Sequence, residues 1–437
     1  MLSFKWLFDC SDAFQKSRKQ GSRTEVGTST AMFAGSAGEK GVFKPDCGSP
    51  RCGRNLKKDP RESMTRLPAA LQWILTEMTG KAVAGERRLW IWTPLRRLGL
   101  TLSVLLFGIW LSLCALRMGG VSWLLLIPGW LLTVSAQRTF QTSFVHHAAH
   151  GALLRNERWG RWLAELLSAV VWIQPESGYR PGHVRHHGYT ATTEDPDLLL
   201  LTLFGFLPGQ SVANYWAQFW RLLFSLRFHT VYAGFRLKAN FIAAGRARQL
   251  LSVVWTGLLS GAALWTGTVW EVAVVWLIPA WPLFQMAGLC QLLTEHNWVR
   301  VGTRSDGARP RIILGKLTHA RFFGESLPEA GGPGATLLWA ARMLLIHFPV
   351  KLFCAQADLS NHDLHHRIPK SDWANAAYAR RDAVAGGELH GWSEWTERWG
   401  FIEAANSTFL LLSLLPEDAV LGEPLTYGEV ADGVLGM

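Results

Sequence analysis

Long uncharged apolar runs alternate with polar stretches between residues 98 and 293. The first run, Leu98 to Leu116 ("LGLTLSVLLFGIWLSLCAL"), carries no charge over 19 residues, close to the ~20 that a helix needs to cross a hydrocarbon core. Arg117 and a Gly119-Gly120 break follow it. A second run extends from Val121 to about 139, and a third and fourth lie at about 250–267 and 270–293, separated by a tight "WTGTVWE" turn. The pattern predicts an all-α integral membrane protein with four transmembrane helices in two hairpins. The spans read as nearly free of ionisable residues, with Glu271 at one outer end.

The ends of the chain differ. Residues 1–66 are polar and rich in Gly, Ser and Thr, with no hydrophobic period to support a core. They are expected to be disordered, or to precede a true start at Met64. No apolar core and cleavage site of a signal peptide stands among them. The membrane domain is expected over 67–400, with a C-terminal cytosolic segment over 401–437.

Charge orients the hairpins. Arg87, Arg88, Arg96 and Arg97 precede the first span, and Arg236, Lys238, Arg246 and Arg248 the third, while the turn between the third and fourth has no Lys or Arg. By the positive-inside rule both turns face away from the cytosol, and both termini lie in it. Arg117 alone dissents.

Histidine is concentrated on that cytosolic side. Nine of the 14 histidines fall in "HHAAH" (146–150), "HVRHH" (183–187) and "HDLHH" (362–366). A second span continued to His150 would measure about 45 Å, longer than a ~30 Å hydrocarbon core, so its end would project into the cytosol. Residues three or four apart share a helix face, so His146 and His150, or His147 and His150, can approach one metal. His183, His186 and His187, and likewise His362, His365 and His366, stand at i, i+3, i+4. The fourth span, extended past the membrane, would bring Glu295 and His296 of "TEHNW" to the same depth. Crowded imidazoles repel once protonated, and a metal that collects neutral rings removes that cost. His229, His319, His347 and His390, outside the clusters, read as ordinary hydrogen-bonded or interfacial residues.

Composition narrows the chemistry. Charged residues make up 18% of the 437, against 23 Trp and 22 Phe, and the net charge is +11. The basic residues flank apolar runs, which fits anionic lipid headgroups and not nucleic acid. Cysteines at 10, 47, 52, 114, 290 and 354 form no disulfide or metal pattern. Eight or nine imidazoles exceed a four-coordinate structural zinc site and fit two metals with open positions. Imidazole alone does not choose among Fe, Cu, Ni and Zn. A membrane metal transporter is a rival reading, but its ligands would lie inside the spans.

The three boxes in order, "RHHGYTATTEDPDL" with its Asp-Pro-Asp, and "HDLHHRIP" with its following proline resemble the membrane fatty acid desaturase and hydroxylase superfamily over roughly 90–370. That resemblance implies a four-span helical fold with a cytosolic helical cap carrying the histidine boxes, two non-haem Fe ions, O2 as co-substrate and oxidation of a lipid or acyl chain. Fatty-acyl desaturation is the reading it favours, with hydroxylation of a lipid-like substrate as the alternative. The implied ligands are His146, His150, His183, His186, His187, His362, His365 and His366, with His296 as the additional histidine. His147, Asp195, Asp197 and Asp363 are candidates either for the metal or for orienting its ligands. Stearoyl-CoA-type desaturases carry an asparagine shortly before their extra histidine, where this chain has "QLLT".

Electrons must enter from outside, since the chain has no dinucleotide-binding glycine motif, haem motif or iron-sulfur cysteine spacing. A separate ferredoxin, rubredoxin or haem carrier with its reductase is implied. Arg155, Arg158, Arg161, Arg180 and Arg185 offer an acidic carrier a docking face, or headgroups a contact.

Overall fold

The computed structural model describes residues 59–299, 310–387 and 389–417, and these are mostly helical, with almost no strand. Five helices are long and apolar enough to cross a membrane. They are α1 (Pro94–Met118), α2 (Gly120–Ala149), α3 (Arg246–Thr266), α4 (Val269–Glu295) and α5 (Gly332–Cys354). The expectation was four. The sequence reading missed α5 because Arg342, His347 and Lys351 interrupt its apolar run and Pro349 stands among them.

The first hairpin closes through small residues, as membrane helices do when packing and not hydrophobicity holds them. A Cβ on Gly108 of α1 would meet Thr133 Oγ1 at 2.7 Å and the Gly129 carbonyl at 2.8 Å on α2. Helix α4 lies deepest of the five, and α3 is the most peripheral. Trp130 of α2 donates through Nε1 to the Val274 carbonyl of α4 at 2.8 Å. Pro279 and Pro282 lack the amide donors that a regular helix needs, and α4 widens there into π turns at Ala273–Leu277 and Pro279–Leu283. Outward-facing Leu106, Phe107, Trp110, Ile127, Leu258 and Leu345 remain exposed, the pattern of a lipid-facing belt.

The remaining helices pack against these five. Glu157–Val170 is amphipathic, with Trp159, Trp162 and Leu166 exposed along one stripe between basic residues, which suits a membrane surface. A short parallel pair, Ala320–Phe322 with Glu397–Trp399, ties the segment after α4 to the C-terminal part.

Two boundaries shift from expectation. The leader expected to be disordered to 66 is helical at Pro60–Ser63, because Arg61 is fully buried. It donates to Gln72 Oε1 at 2.7 Å and pairs with Glu86 at 3.1 Å. Residues 1–58, with Cys10, Cys47 and Cys52, lie outside the described residues. The helix Phe401–Ser413, placed by sequence in a separate C-terminal segment, buries Ala404, Ala405 and Phe409, and Thr408 donates to the His296 carbonyl at 3.1 Å. Among the described cysteines, Cys114, Cys290 and Cys354 are free thiols.

Candidate metal centre

The first histidine pair ends α2. A π turn at Phe140–Val145 widens the helix just before His146, and such turns rotate the side chains that follow. His150 caps the helix, and Gly151 at φ 66° ends it in the left-handed region, where a side chain would strike Glu157. The second box lies on Glu176–Tyr189. The next helix, Pro196–Leu203, begins with Asp195 as its N-cap and proline in its first turn, which explains the Asp-Pro-Asp chemistry. His296 follows α4 directly but is extended and bridged to Thr318, so its ring turns sideways from the helix end that the sequence pattern had continued. The third box forms the short helix His362–Arg367.

All nine expected histidines come together, in two sets. His146, His150, His183, His187 and His365 form one; His186, His296, His362 and His366 form the other, the ligand atoms of each set lying within 4.8 Å of one another. In the first set, His365 Nε2 stands 2.6 Å from His146 Nε2, 3.1 Å from His150 Nε2 and 3.0 Å from His187 Nε2. His183 Nε2 lies 2.8 Å from His150 Nε2 and 3.2 Å from that of His187. In the second set, His186 and His296 approach to 3.0 Å, and His362 and His366 to 3.1 Å.

Hydrogen bonding does not account for this. An imidazole nitrogen carries at most one proton, so His365 Nε2 cannot bond all three neighbours. A shared cation does: two nitrogens about 2.1 Å from one ion and at right angles stand about 3.0 Å apart. The residues present therefore fit two histidine-ligated metal ions.

Electrostatics agree with that fit. Burial, reinforced by the neighbouring imidazoles, holds His183, His187, His296, His362, His365 and His366 well below the usual histidine range, and His150 is lowered to about 4. These rings are neutral at pH 7, the form a metal binds. His186 is the exception. Burial would lower it too, but Asp195, Asp197 and Glu295 outweigh burial and raise it to about 9. Its Nδ1 donates to Asp195 Oδ1 at 3.0 Å, which leaves Nε2 facing its set.

Four candidates thus find their places. Asp195 orients His186 and also accepts from the amides of Ala191 and Asp197. Asp197, half-buried, lies 3.5 Å from His186 Nδ1, and desolvation with the neighbouring carboxylates Asp195 and Glu295 raises it to about 7. His147 belongs to neither set. Its Nε2 bonds Asp358 at 2.8 Å, and its ring stacks on Trp373. Asp363 turns away from the metal sets to Arg380, with contacts of 2.9–3.0 Å, and Arg380 also bonds Glu397. His229, His319 and His347 stand outside both sets, beside Gln285, the Thr294 carbonyl and Glu325 respectively. Of the basic residues offered for docking, Arg155, Arg158 and Arg185 are exposed, while Arg180 is held by Glu176 and the Ala148 carbonyl.

The fatty acid desaturase family model matches residues 121–398, about two thirds of the chain and all nine of these histidines. The chain belongs to the fatty acid desaturase family. No curated protein matches it. Membership supports an oxidoreductase function of the desaturase or hydroxylase type, with membrane association and iron use as the family's implications.

Sequence reasoning missed several residues at the centre. Asp358 and Trp373 meet His147 across more than 200 residues, Arg380 meets Asp363 across 17, and the Tyr179 hydroxyl lies 3.1 Å from His183 Nδ1. Tyr179 alone carried a usable signal, standing four residues before His183 on one helix face.

Proposed function

We propose that this protein introduces a double bond into a fatty-acyl chain, using O2 and two irons held by the nine histidines. The observation that carries the reading is the division of nine Nε2 atoms into sets of five and four, each close enough for one ion. Irons held there supply the power to activate O2 and to remove hydrogen from an unactivated methylene. The chain's own part is positioning. Asp195 fixes the His186 ring, Tyr179 does the same for His183, and the buried rings exclude water from the reacting space. Hydroxylation stays the second reading, because the same histidine sets serve either outcome.

The topology we infer keeps four crossings, with the sets and both termini cytosolic. The His296 and His362 ring centroids are 5.0 Å apart, so a single crossing by α5 between them would put one centre on both sides of the membrane. Helix α5 is better read as embedded without crossing. The electrons come from a separate ferredoxin, rubredoxin or haem carrier and its reductase.

The test is expression with iron, O2 and a reducing system, followed by mass spectrometry of lipids. Desaturation appears as loss of two hydrogens and hydroxylation as gain of one oxygen. Active protein that holds stoichiometric zinc and needs no iron would sink the reading. For topology, a Thr268→Cys variant should be labelled from outside the cell; labelling from the cytosol alone overturns the orientation.

A further inference from the structure

The sequence pattern made the spans nearly free of ionisable groups, yet Arg138 lies inside α2 and is 3% exposed. It stands eight residues before His146, about 12 Å of helix rise. Nη1 donates to Gln141 Oε1 at 2.7 Å and Nη2 to Gln291 Oε1 of α4. Nε has no partner, and no described carboxylate comes within 4.0 Å of the guanidinium. Gly288 makes room on the facing helix: a Cβ there would meet Arg138 Nη1 at 3.3 Å and the Tyr232 hydroxyl at 3.5 Å.

Other groups along the same stretch of α2 and α4 are also unsatisfied. Gln137 is fully buried with neither amide atom bonded, and Gln285 Nε2 has no partner. Toward the histidines further polar groups follow along α4. Gln291 Nε2 donates to Glu295 Oε2 at 2.8 Å, and Glu295 is an electrostatic neighbour of Tyr179, Asp197 and His186. A saturated hydrocarbon packed against these groups would leave the buried donors unpaired, at a cost of about 1–3 kcal/mol each. An ionisable residue inside a membrane domain is retained for a partner. A role as a staple between α2 and α4 accounts for Nη1 and Nη2 but not for the unpaired Nε or the unbonded amides.

We propose that Arg138, with the amides of Gln137 and Gln285, receives an acceptor oxygen of the substrate, a carboxylate or a carbonyl. The substrate is then a lipid held by its oxygen-bearing end close to the histidine sets, and the oxidised carbon lies near that end. The inference rests on the reading of the site as a lipid-oxidising centre and adds how the substrate is held.

Binding tests it without turnover. The full chain in lipid nanodiscs is titrated with radiolabelled dodecanoate, with methyl dodecanoate and dodecane as competitors. Saturable binding is expected, with dodecane failing to compete. Competition by the ester as strong as by the acid assigns the group to a carbonyl oxygen, and competition by the acid alone to a carboxylate. Arg138→Gln should weaken binding about tenfold or more, and Arg138→Lys less, with iron content reporting that the fold is intact. If Arg138→Gln does not fold, the order of competitors on the unmodified chain decides alone. No saturable binding, dodecane competing as well as dodecanoate, or unchanged affinity in a folded Arg138→Gln would each overturn the proposal. Protein that binds dodecanoate as expected but holds no iron would sink the oxidation chemistry and leave this assignment standing.

Discussion

The two histidine sets use the same donor atoms in different surroundings. In the set of four, His186, His296, His362 and His366 are all buried, and a carboxylate backs one of them. In the set of five, His150 and His187 are only half-buried, and among the described residues the polar neighbour bonded to a ring's second nitrogen is the Tyr179 hydroxyl at His183. Closed, carboxylate-backed sites hold a metal firmly, whereas sites with accessible positions admit a reactant. On the proposed reading, the set of four would be the anchor and the set of five the approach side. Removing a ligand from each should not have equal effects.

The sharpest break of that comparison is His296→Ala against His150→Ala. His296→Ala leaves three ligands in the closed set, so about one iron per chain should be lost and product should fall more than about 100-fold, since residues that merely orient a ligand already account for about 10–100-fold. His150→Ala leaves four ligands in the open set and should keep most of its iron while turnover drops. Elemental analysis beside product formation reads both. Greater iron loss from His150→Ala would reverse the assignment.

Much of this centre was legible in the sequence, and the reason is local. The box residues sit three or four apart, so a shared helix face within each box follows from spacing alone, whereas the meeting of the three boxes with His296 was implied by the family resemblance and not by spacing. What escaped was long-range. Asp358 meets His147 across 211 residues and Arg97 meets Glu77 only through the fold of the pre-membrane helix Ala69–Thr79. Helix α5 escaped for a different reason. Its charges are buried or face polar partners, as when Arg342 reaches Glu325, so a scan for uncharged runs passes over it. Arg138 was in plain view within an apolar run, and only its burial without a carboxylate gave it meaning.

Asp195→Asn probes what backs the closed set. The change removes the charge that holds the His186 N–H in place while keeping the shape of the N-cap. Activity should fall about 10–100-fold, with weaker iron retention during dialysis against a chelator. Retention equal to the unmodified protein would mean that the carboxylate serves the cap alone.

Asp363→Asn acts one layer further out. Asp363 and Arg380 form a pair with both side chains buried, and removing one buried partner costs about 3–5 kcal/mol. Glu397 still bonds Arg380 Nη1, so a loss near 3 kcal/mol is expected. It should appear as a lower melting temperature, while iron content in the folded fraction and its turnover change little. A fall in iron at unchanged stability would instead make Asp363 part of the metal site.

The smallest effect is expected at His147, the residue beside a ligand. "HHAAH" allows two pairings on one helix face, 146 with 150 or 147 with 150, and the sequence leaves both open. The fold chooses the first: His146 Nε2 lies 2.6 Å from His365 Nε2, while His147 Nε2 is committed to Asp358 and its ring lies flat on Trp373 with an interplanar angle of 11°. Asp358 also accepts from Ser143 Oγ at 2.5 Å, so His147 belongs to a tie between α2 and the segment that enters the third box. His147→Gln offers Asp358 a donor from a side chain of similar reach, and should keep full iron with turnover within about threefold, the loss of one net hydrogen bond's worth of order. His390→Ala, on the cap outside both sets, serves as the reference for no effect on iron. A His147→Gln protein that loses iron as His296→Ala does would add a tenth histidine to the centre and end the contrast between a set of five and a set of four.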